Sequence, residues 1–345
     1  MSTIQPIGRI LLGVAAITLA LGSTVTAQVP KQAPATVPAQ EPETPVPTPA
    51  PKSSKSPAET SVPVLDPAYG AYQRGYFLTA FGLATQAVEQ GTDVKAMTLL
   101  GVLYTQGFGV PQDDAKALQW YTLAAGRGDR EAMFALATFK MTGRGGPPDR
   151  AGAARLYAEA AKLGHPSAAY HLGLLYLDGQ LFPQDFARAA QLFRKAADAG
   201  NPEAQYALAT FHKEGRGVPK DPKEATRLLA AAALAEHLDA QVEYAIALFN
   251  GTGTAKNEQA AIELFRKAAR RGSPIAQNRL ARILAAGLGI KADPIAATKW
   301  HLIAKARGAT DLWLDDFVKR LPAEQRESGQ KAAQPWLTAL ERSRS

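Results

Sequence analysis

The sequence predicts an all-α fold, a solenoid in which helix pairs are stacked in one direction. Three columns of residues carry that expectation. Ala96, Ala132, Ala168, Ala204, Ala240 and Ala276 stand 36 residues apart, and Gly107, Gly143, Gly179, Gly215, Gly251 and Gly287 keep the same step. Ala117, Ala153, Ala189, Ala225, Ala261 and Ala297 form the third column. A fixed period in this range marks one supersecondary unit repeated along the chain. Such an array presents a long surface instead of enclosing one pocket.

The elements follow in chain order. Residues 1–27 read as an export signal: Arg9 supplies the positive flank, Ile10 to Leu21 is mostly apolar, and Val25-Thr26-Ala27 offers small residues for cleavage. The apolar stretch is shorter than the roughly 20 residues of a spanning helix. Cleavage is therefore expected, leaving no transmembrane span, with an uncleaved membrane anchor as the alternative. In residues 28–66 the composition changes: eleven of the 24 prolines lie between Pro30 and Pro67, among few large apolar side chains. Such a segment cannot bury enough surface to offset its ordering entropy, so it is expected to be a disordered spacer. A proline-rich ligand for a groove domain is its other reading.

Residues 67–94 look like a shortened copy of the unit that caps the array. Tyr72-Gln73-Arg74-Gly75 makes its turn, and Phe81 to Glu89 its second helix. Six full units follow, 95–130, 131–166, 167–202, 203–238, 239–274 and 275–309. In the first, Lys95 to Tyr104 puts Ala96, Leu100, Leu103 and Tyr104 on one helical face. Gly107-Phe108-Gly109-Val110-Pro111 breaks that helix. A second runs from Asp114 to Ala125, with Ala117, Leu118, Tyr121 and Ala124 inward, and stops at Gly126 and Gly128. Asp113, Asp149, Asp185, Asp221, Asn257 and Asp293 stand where a short oxygen-bearing side chain caps free N–H groups. Residues 310–345 hold the C-terminal capping helices and a basic tail. There Leu314, Phe317, Val318 and Leu321 keep helical spacing, and Pro322-Ala323-Glu324-Gln325 opens a polar helix open to interruption at Pro335.

The columns Leu100-Gly101-Val102-Leu103-Tyr104, Gly107-Phe108-Gly109-Val110, Asp113, Lys116-Ala117, Trp120-Tyr121 and Ala124-Ala125 through Gly128 resemble the Sel1-like repeat. That family belongs to the tetratricopeptide-type solenoids, and the resemblance runs from about residue 66 to 309. Leu181 departs from the Gly109 column, Lys140 and His212 from the Tyr104 column, and Glu236 from the terminal glycine column, which should loosen single turns. The resemblance implies a right-handed superhelix whose first helices line a concave surface. It also implies scaffold or adaptor work, in envelope signalling, envelope assembly or host contact. Cysteine-rich relatives are linked to penicillin or peptidoglycan binding, but this chain has no cysteine. That absence also excludes disulfides, a thiolate zinc site and a catalytic thiol.

Other constellations reduce to structure. Gly215-Arg216-Gly217 and Gly251-Thr252-Gly253 recur after a helix, whereas a phosphate loop follows a strand and occurs once. His165, His171, His212, His237 and His301 make no zinc-type His-x-x-x-His pair with a neighbouring acid. His212 and His301 stand in aromatic columns, which suggests half-buried packing. Ser328-Gly329-Gln330-Lys331 matches Ser-x-x-Lys by chance, in a polar tail without companion motifs. Asp315 and Asp316 point in different directions and read as solvated charges. No nucleophile, base and orienting group are assembled, so neither enzyme activity nor any cofactor or metal is expected.

Binding has two candidate surfaces. One column holds Thr98, Phe134, Tyr170, Tyr206, Val242 and Asn278. Its aromatics either form a ladder along the groove or pack neighbouring units, the second being preferred. Beside them His171, Glu243 and Arg279 vary and could tune partner choice, making Phe134, Tyr170, His171, Tyr206, Glu243 and Arg279 the partner-binding candidates. The formal net charge is +8, and from Arg266 onward sixteen Lys and Arg face seven Asp and Glu. Arg266, Lys267, Arg270, Arg271 and Arg282 form a candidate patch for anionic partners, or an ordinary solvated basic face. Export and the lack of a recognition module exclude nucleic acid. The expected protein is thus exported and periplasmic, with membrane-anchored or secreted forms as alternatives. It is a non-enzymatic scaffold for an envelope protein or peptide bound on the concave face. The alternative is binding of peptidoglycan or another anionic envelope polymer, with hydrolysis a remoter reading.

Overall fold

A computed structural model describes residues 66–91 and 93–343. The expected export signal, and the proline-rich segment apart from Asp66, lie outside them. Every described element is an α-helix. A short pair comes first, α1 (Pro67–Gln73) and α2 (Phe77–Gln90). Six pairs follow: α3 (Val94–Gln106) with α4 (Asp114–Gly126), α5 (Arg130–Thr142) with α6 (Arg150–Lys162), and α7 (Pro166–Asp178) with α8 (Phe186–Asp198). The remaining pairs are α9 (Pro202–Glu214) with α10 (Pro222–Leu234), α11 (Leu238–Asn250) with α12 (Glu258–Arg270), and α13 (Pro274–Ala286) with α14 (Pro294–Ala306). The chain closes with α15 (Leu312–Arg320) and α16 (Ala323–Arg342). Each helix from α1 to α14 packs on the next in sequence, which is the contact pattern of a solenoid.

The alanine columns sit where helices meet. The Ala96 and Ala117 columns are at most 3% exposed throughout, and so is a third that starts at Ala124. A methyl side chain lets two backbones approach to the short end of the usual 8–10 Å helix separation. Larger side chains then fill the remaining space, among them Tyr121, Tyr157, Phe193 and Phe265, all buried. Gly101 and Gly173 occupy the position facing two of these rings, where even a methyl group does not fit.

The turns are fixed by hydrogen bonds as much as by glycine. The predicted caps of the second helices all bond: Asp113 accepts from the Lys116 N–H, and its counterparts do likewise as far as Asp293, which accepts from Ala296. A second cap column begins the first helices, at Asp93, Asp129, His165, Asn201, His237 and Ser273. Each of these side chains accepts from the N–H of the alanine three residues on, from Ala96 to Ala276. From Asp129 onward, the cap's own N–H donates back to the preceding helix, as Asp129 does to the Ala124 carbonyl at 3.2 Å. One residue thus closes one helix and opens the next. Gly145 shows why the inter-helix turn also needs glycine: its φ is +70°, and a Cβ there would lie 2.6 Å from the Asp114 carbonyl oxygen.

Four local expectations are corrected. Helix α2 begins at Phe77, four residues before Phe81, because Tyr76 closes the turn and its carbonyl already accepts from Ala80. Pro335 does not interrupt α16. That helix is docked on α14, with Gly329 against Thr298 and Trp336 edge-on to Trp300 at 5.4 Å, and this packing outweighs the ~3 kcal/mol cost of an internal proline. Ser328 to Lys331 therefore lies within a docked helix and not in a polar tail. Glu236 keeps the backbone of the glycine it replaces, with φ at 65°.

The Gly173→Ala substitution should lower stability by about 1–3 kcal/mol, since its Cβ would come within 2.6 Å of the Phe193 ring. Gly82→Ala, with nothing within 4 Å, should instead raise it by roughly 0.5–1 kcal/mol. Urea unfolding of both variants checks the pair of signs.

Candidate functional site

The aromatic column on the first helices sits at the joint between units. Four of its six members touch the cap that opens the next pair. Thr98 Oγ1 donates to Asp129 at 3.0 Å, Phe134 stacks on His165 at 4.4 Å, and Tyr206 stacks on His237 at 4.7 Å. Asn278 donates to Asp311 at 2.9 Å. Tyr170 instead lies against Phe193 at 5.5 Å. Phe134, Tyr170 and Tyr206 are all half-buried.

The three neighbouring candidates have different surroundings. His171 is held between rings, stacked on Tyr157 at 5.2 Å and tilted against Phe134 at 5.6 Å. Burial, with a smaller contribution from nearby His165, pushes its pKa down to about 4. Glu243 is paired with Lys213 at 2.7 Å. Arg279 is exposed and makes no hydrogen bond or ion pair among the described residues.

Pairing also reshapes the basic patch. Arg266 binds Glu263 on its own helix. Lys267 and Arg271 both reach Glu236, and Arg271 also donates to Gln241 at 2.8 Å. Arg282 grips Asp311 through two nitrogens, one of them at 2.8 Å. Burial pushes the Asp311 carboxyl up, but hydrogen bonds from Arg282, Asn278 and the Leu314 N–H outweigh this and hold it at about 2. Of the five patch residues, only Arg270 makes no hydrogen bond or ion pair among the described residues. Two of these carboxylates, Glu236 and Glu263, lie before Arg266 and so fall outside a charge count that starts there.

The histidines are structural. His165 caps α7 through Nδ1 and donates from Nε2 to Glu131 at 3.0 Å. His212, buried more deeply than expected, accepts from Arg194 at 2.9 Å and donates to the Pro219 carbonyl at 3.2 Å. His301 is also fully buried and bonds Asp315 at 2.8 Å, and Lys305 binds the same carboxylate at 2.7 Å. Asp315 is therefore a buried-edge partner and not a solvated charge, while Asp316 is exposed and reaches Arg320 at 3.4 Å. Among the described residues no group of three His, Asp or Glu could hold a metal ion, and no helix is long and apolar enough to cross a membrane.

One open cleft of about 630 Å³ lies at the end of the array, lined by Ile275, Asn278, Arg279 and Arg282 of α13 and by residues 309–313. Sequence reasoning named its two arginines and missed its apolar wall. The repeated geometry has a counterpart among known families. The Sel1 repeat pattern matches residues 94–129, 130–165, 166–201, 202–237, 238–273 and 274–308, well over half the chain. The chain belongs to the Sel1 repeat family. Among solved structures it resembles a Sel1 repeat protein from Oxalobacter formigenes, at 27% identity and a TM-score of 0.59, over 69% of this chain and 94% of that one. It also resembles c5321, a protective antigen present in uropathogenic Escherichia coli strains, at 27% identity and a TM-score of 0.53, over 79% of this chain and 68% of that one. No match is found among curated proteins. The Sel1 fold is typically a protein-interaction scaffold.

His171, half-buried between rings, gives this Sel1 array a pH dependence of definite sign. Its folded pKa of about 4 lies below the ordinary 6.5, so the unfolded chain binds the extra proton between those values. The contribution to stability is complete above about 6.5 and is lost as the pH falls toward about 4. The variant His171→Phe should flatten the fall in melting temperature across that window. An unchanged slope would mean that other groups carry it.

Proposed function

We propose that this chain is a non-enzymatic scaffold of the bacterial envelope, exported and periplasmic, that holds a protein or peptide on the face of its first helices. The observation that carries the reading is the closure of each repeat upon itself. Both cap columns are occupied, and the turns between units are tied by backbone hydrogen bonds. A face built this way is ordered before a partner arrives, so little conformational entropy is lost on binding. The half-buried Phe134, Tyr170 and Tyr206 give that face rigid aromatic side chains, of the kind that dominates interface energetics. Export rests on the sequence features around Arg9, Leu21 and Ala27. The competing anionic-polymer reading has less support, because Arg266, Lys267, Arg271 and Arg282 already have carboxylate partners.

Crosslinking of the tagged full chain in its native envelope, followed by identification of what is captured, tests the scaffold reading. We expect one protein to be recovered repeatedly. The double variant Tyr170→Leu, Tyr206→Leu keeps the apolar packing and should reduce its recovery by at least about tenfold. Undiminished recovery at wild-type helicity would move the ligand off this face. Salt-sensitive co-sedimentation with purified peptidoglycan would favour the polymer instead.

A further inference from the structure

The repeat breaks register at the end of the array. The first-helix caps run at 36-residue intervals from Asp93 to Ser273, and the next position in that series is Ala309. Ala309 keeps the backbone half of the joint, its N–H donating to the Ala304 carbonyl at 2.9 Å. It has no side chain to cap with. The capping role passes to Asp311, which accepts from the Trp313 and Leu314 N–H groups at 3.1 and 3.2 Å. Two extra residues thus separate α14 from α15. The cleft opens there, against α13.

Its walls differ from the rest of the joint surfaces. Ile275 is 55% exposed, Leu312 84% and Trp313 47%, so three large apolar side chains line one opening. Trp313 is held in place, stacked on Phe317 at 5.9 Å and lying over the Arg282 guanidinium at 5.4 Å. The charges are equally ordered. Asp311, 7% exposed, is neutralised by Arg282 and accepts a further hydrogen bond from Asn278. Arg279, one turn before Arg282 on α13, is left as the unpaired charge of the cleft.

We propose that this cleft is a docking site for an acidic peptide segment of a partner protein. Arg279 pairs with a carboxylate of that segment, and a large apolar side chain beside the carboxylate packs on Ile275, Leu312 and Trp313. A free cation next to an apolar wall matches a chain in which acidic and apolar residues alternate. A hydrated polyanion would gain from the single cation and leave the wall uncovered. The proposal rests on the scaffold reading and assigns it a second, terminal contact point.

The test uses the full chain and a fluorescein-labelled synthetic peptide of alternating glutamate and leucine, followed by anisotropy. The comparators are a glutamine and leucine peptide of equal length and polyglutamate. The acidic-apolar peptide should bind most tightly. Arg279→Glu should weaken it by at least about tenfold, and Leu312→Ser by several-fold, at unchanged circular dichroism because both side chains are exposed. Undetectable binding, or equal binding by either variant, would overturn the site. Equal binding of polyglutamate would reassign it to anionic polymers. A wild-type dimer that Leu312→Ser dissolves would make it a seat for a second copy. If the envelope partner is still captured by the Arg279→Glu chain, the scaffold reading stands and this site alone falls.

Discussion

Close approach of helix backbones at alanine is the constraint on which the rest of this structure depends. Three alanines per unit are buried at helix contacts, and two of them belong to the same hydrogen-bonded joint. Ala124 gives its carbonyl to Asp129, whose side chain receives the N–H of Ala132. The small side chains that allow close packing are therefore also the points where the backbone is tied. Bulk at these positions would separate the helices and break the cap in one step. That coupling explains why the columns admit no substitution across six units, although neighbouring positions range from threonine to tyrosine.

Between those fixed points, one geometric slot accepts several kinds of chemistry. The position two residues after the first alanine meets the next cap through a hydrogen bond at Thr98, through stacked rings at Phe134 and Tyr206, and through an amide at Asn278. The turn meets the preceding unit through stacked Phe77 and Phe108 in one place and through Arg144 on Asp114 in another. Exposed ion pairs of this type are worth only about 0–1 kcal/mol each. They contribute little to holding the array and more to giving each unit a distinct surface.

The period, the helix pairs and the caps of the second helices were legible in the sequence because each depends on residues close together in the chain. The caps of the first helices were not. Asp93, His165, Asn201 and Ser273 share a role but not an identity, and histidine is an uncommon cap whose function shows only once its Nδ1 faces the Ala168 N–H. Pairings across a joint were hidden for a different reason. Arg271 and Glu236, or Arg282 and Asp311, stand about thirty residues apart, and a charge count treats such partners as independent. Asp315 read as solvated because it forms no acidic pair with the adjacent Asp316, which points elsewhere on the helix; its partners His301 and Lys305 come from another helix. The terminal cleft arises from a two-residue slip, which a reading of repeats treats as the place where the pattern stops.

Glu236 carries a consequence of its own. It is the sole non-glycine residue at positive φ among the described residues, a conformation that costs an L-residue roughly 1–2 kcal/mol. Its carboxylate holds Lys267, Arg271 and Gln241, all beyond the joint. Elsewhere the corresponding bend is made by a glycine that is indifferent to ions. Here a backbone angle and an exposed electrostatic cluster are one device, and dissolved salt screens the cluster without relieving the angle. Raising the ionic strength therefore removes part of what offsets the Glu236 backbone at the turn between α10 and α11.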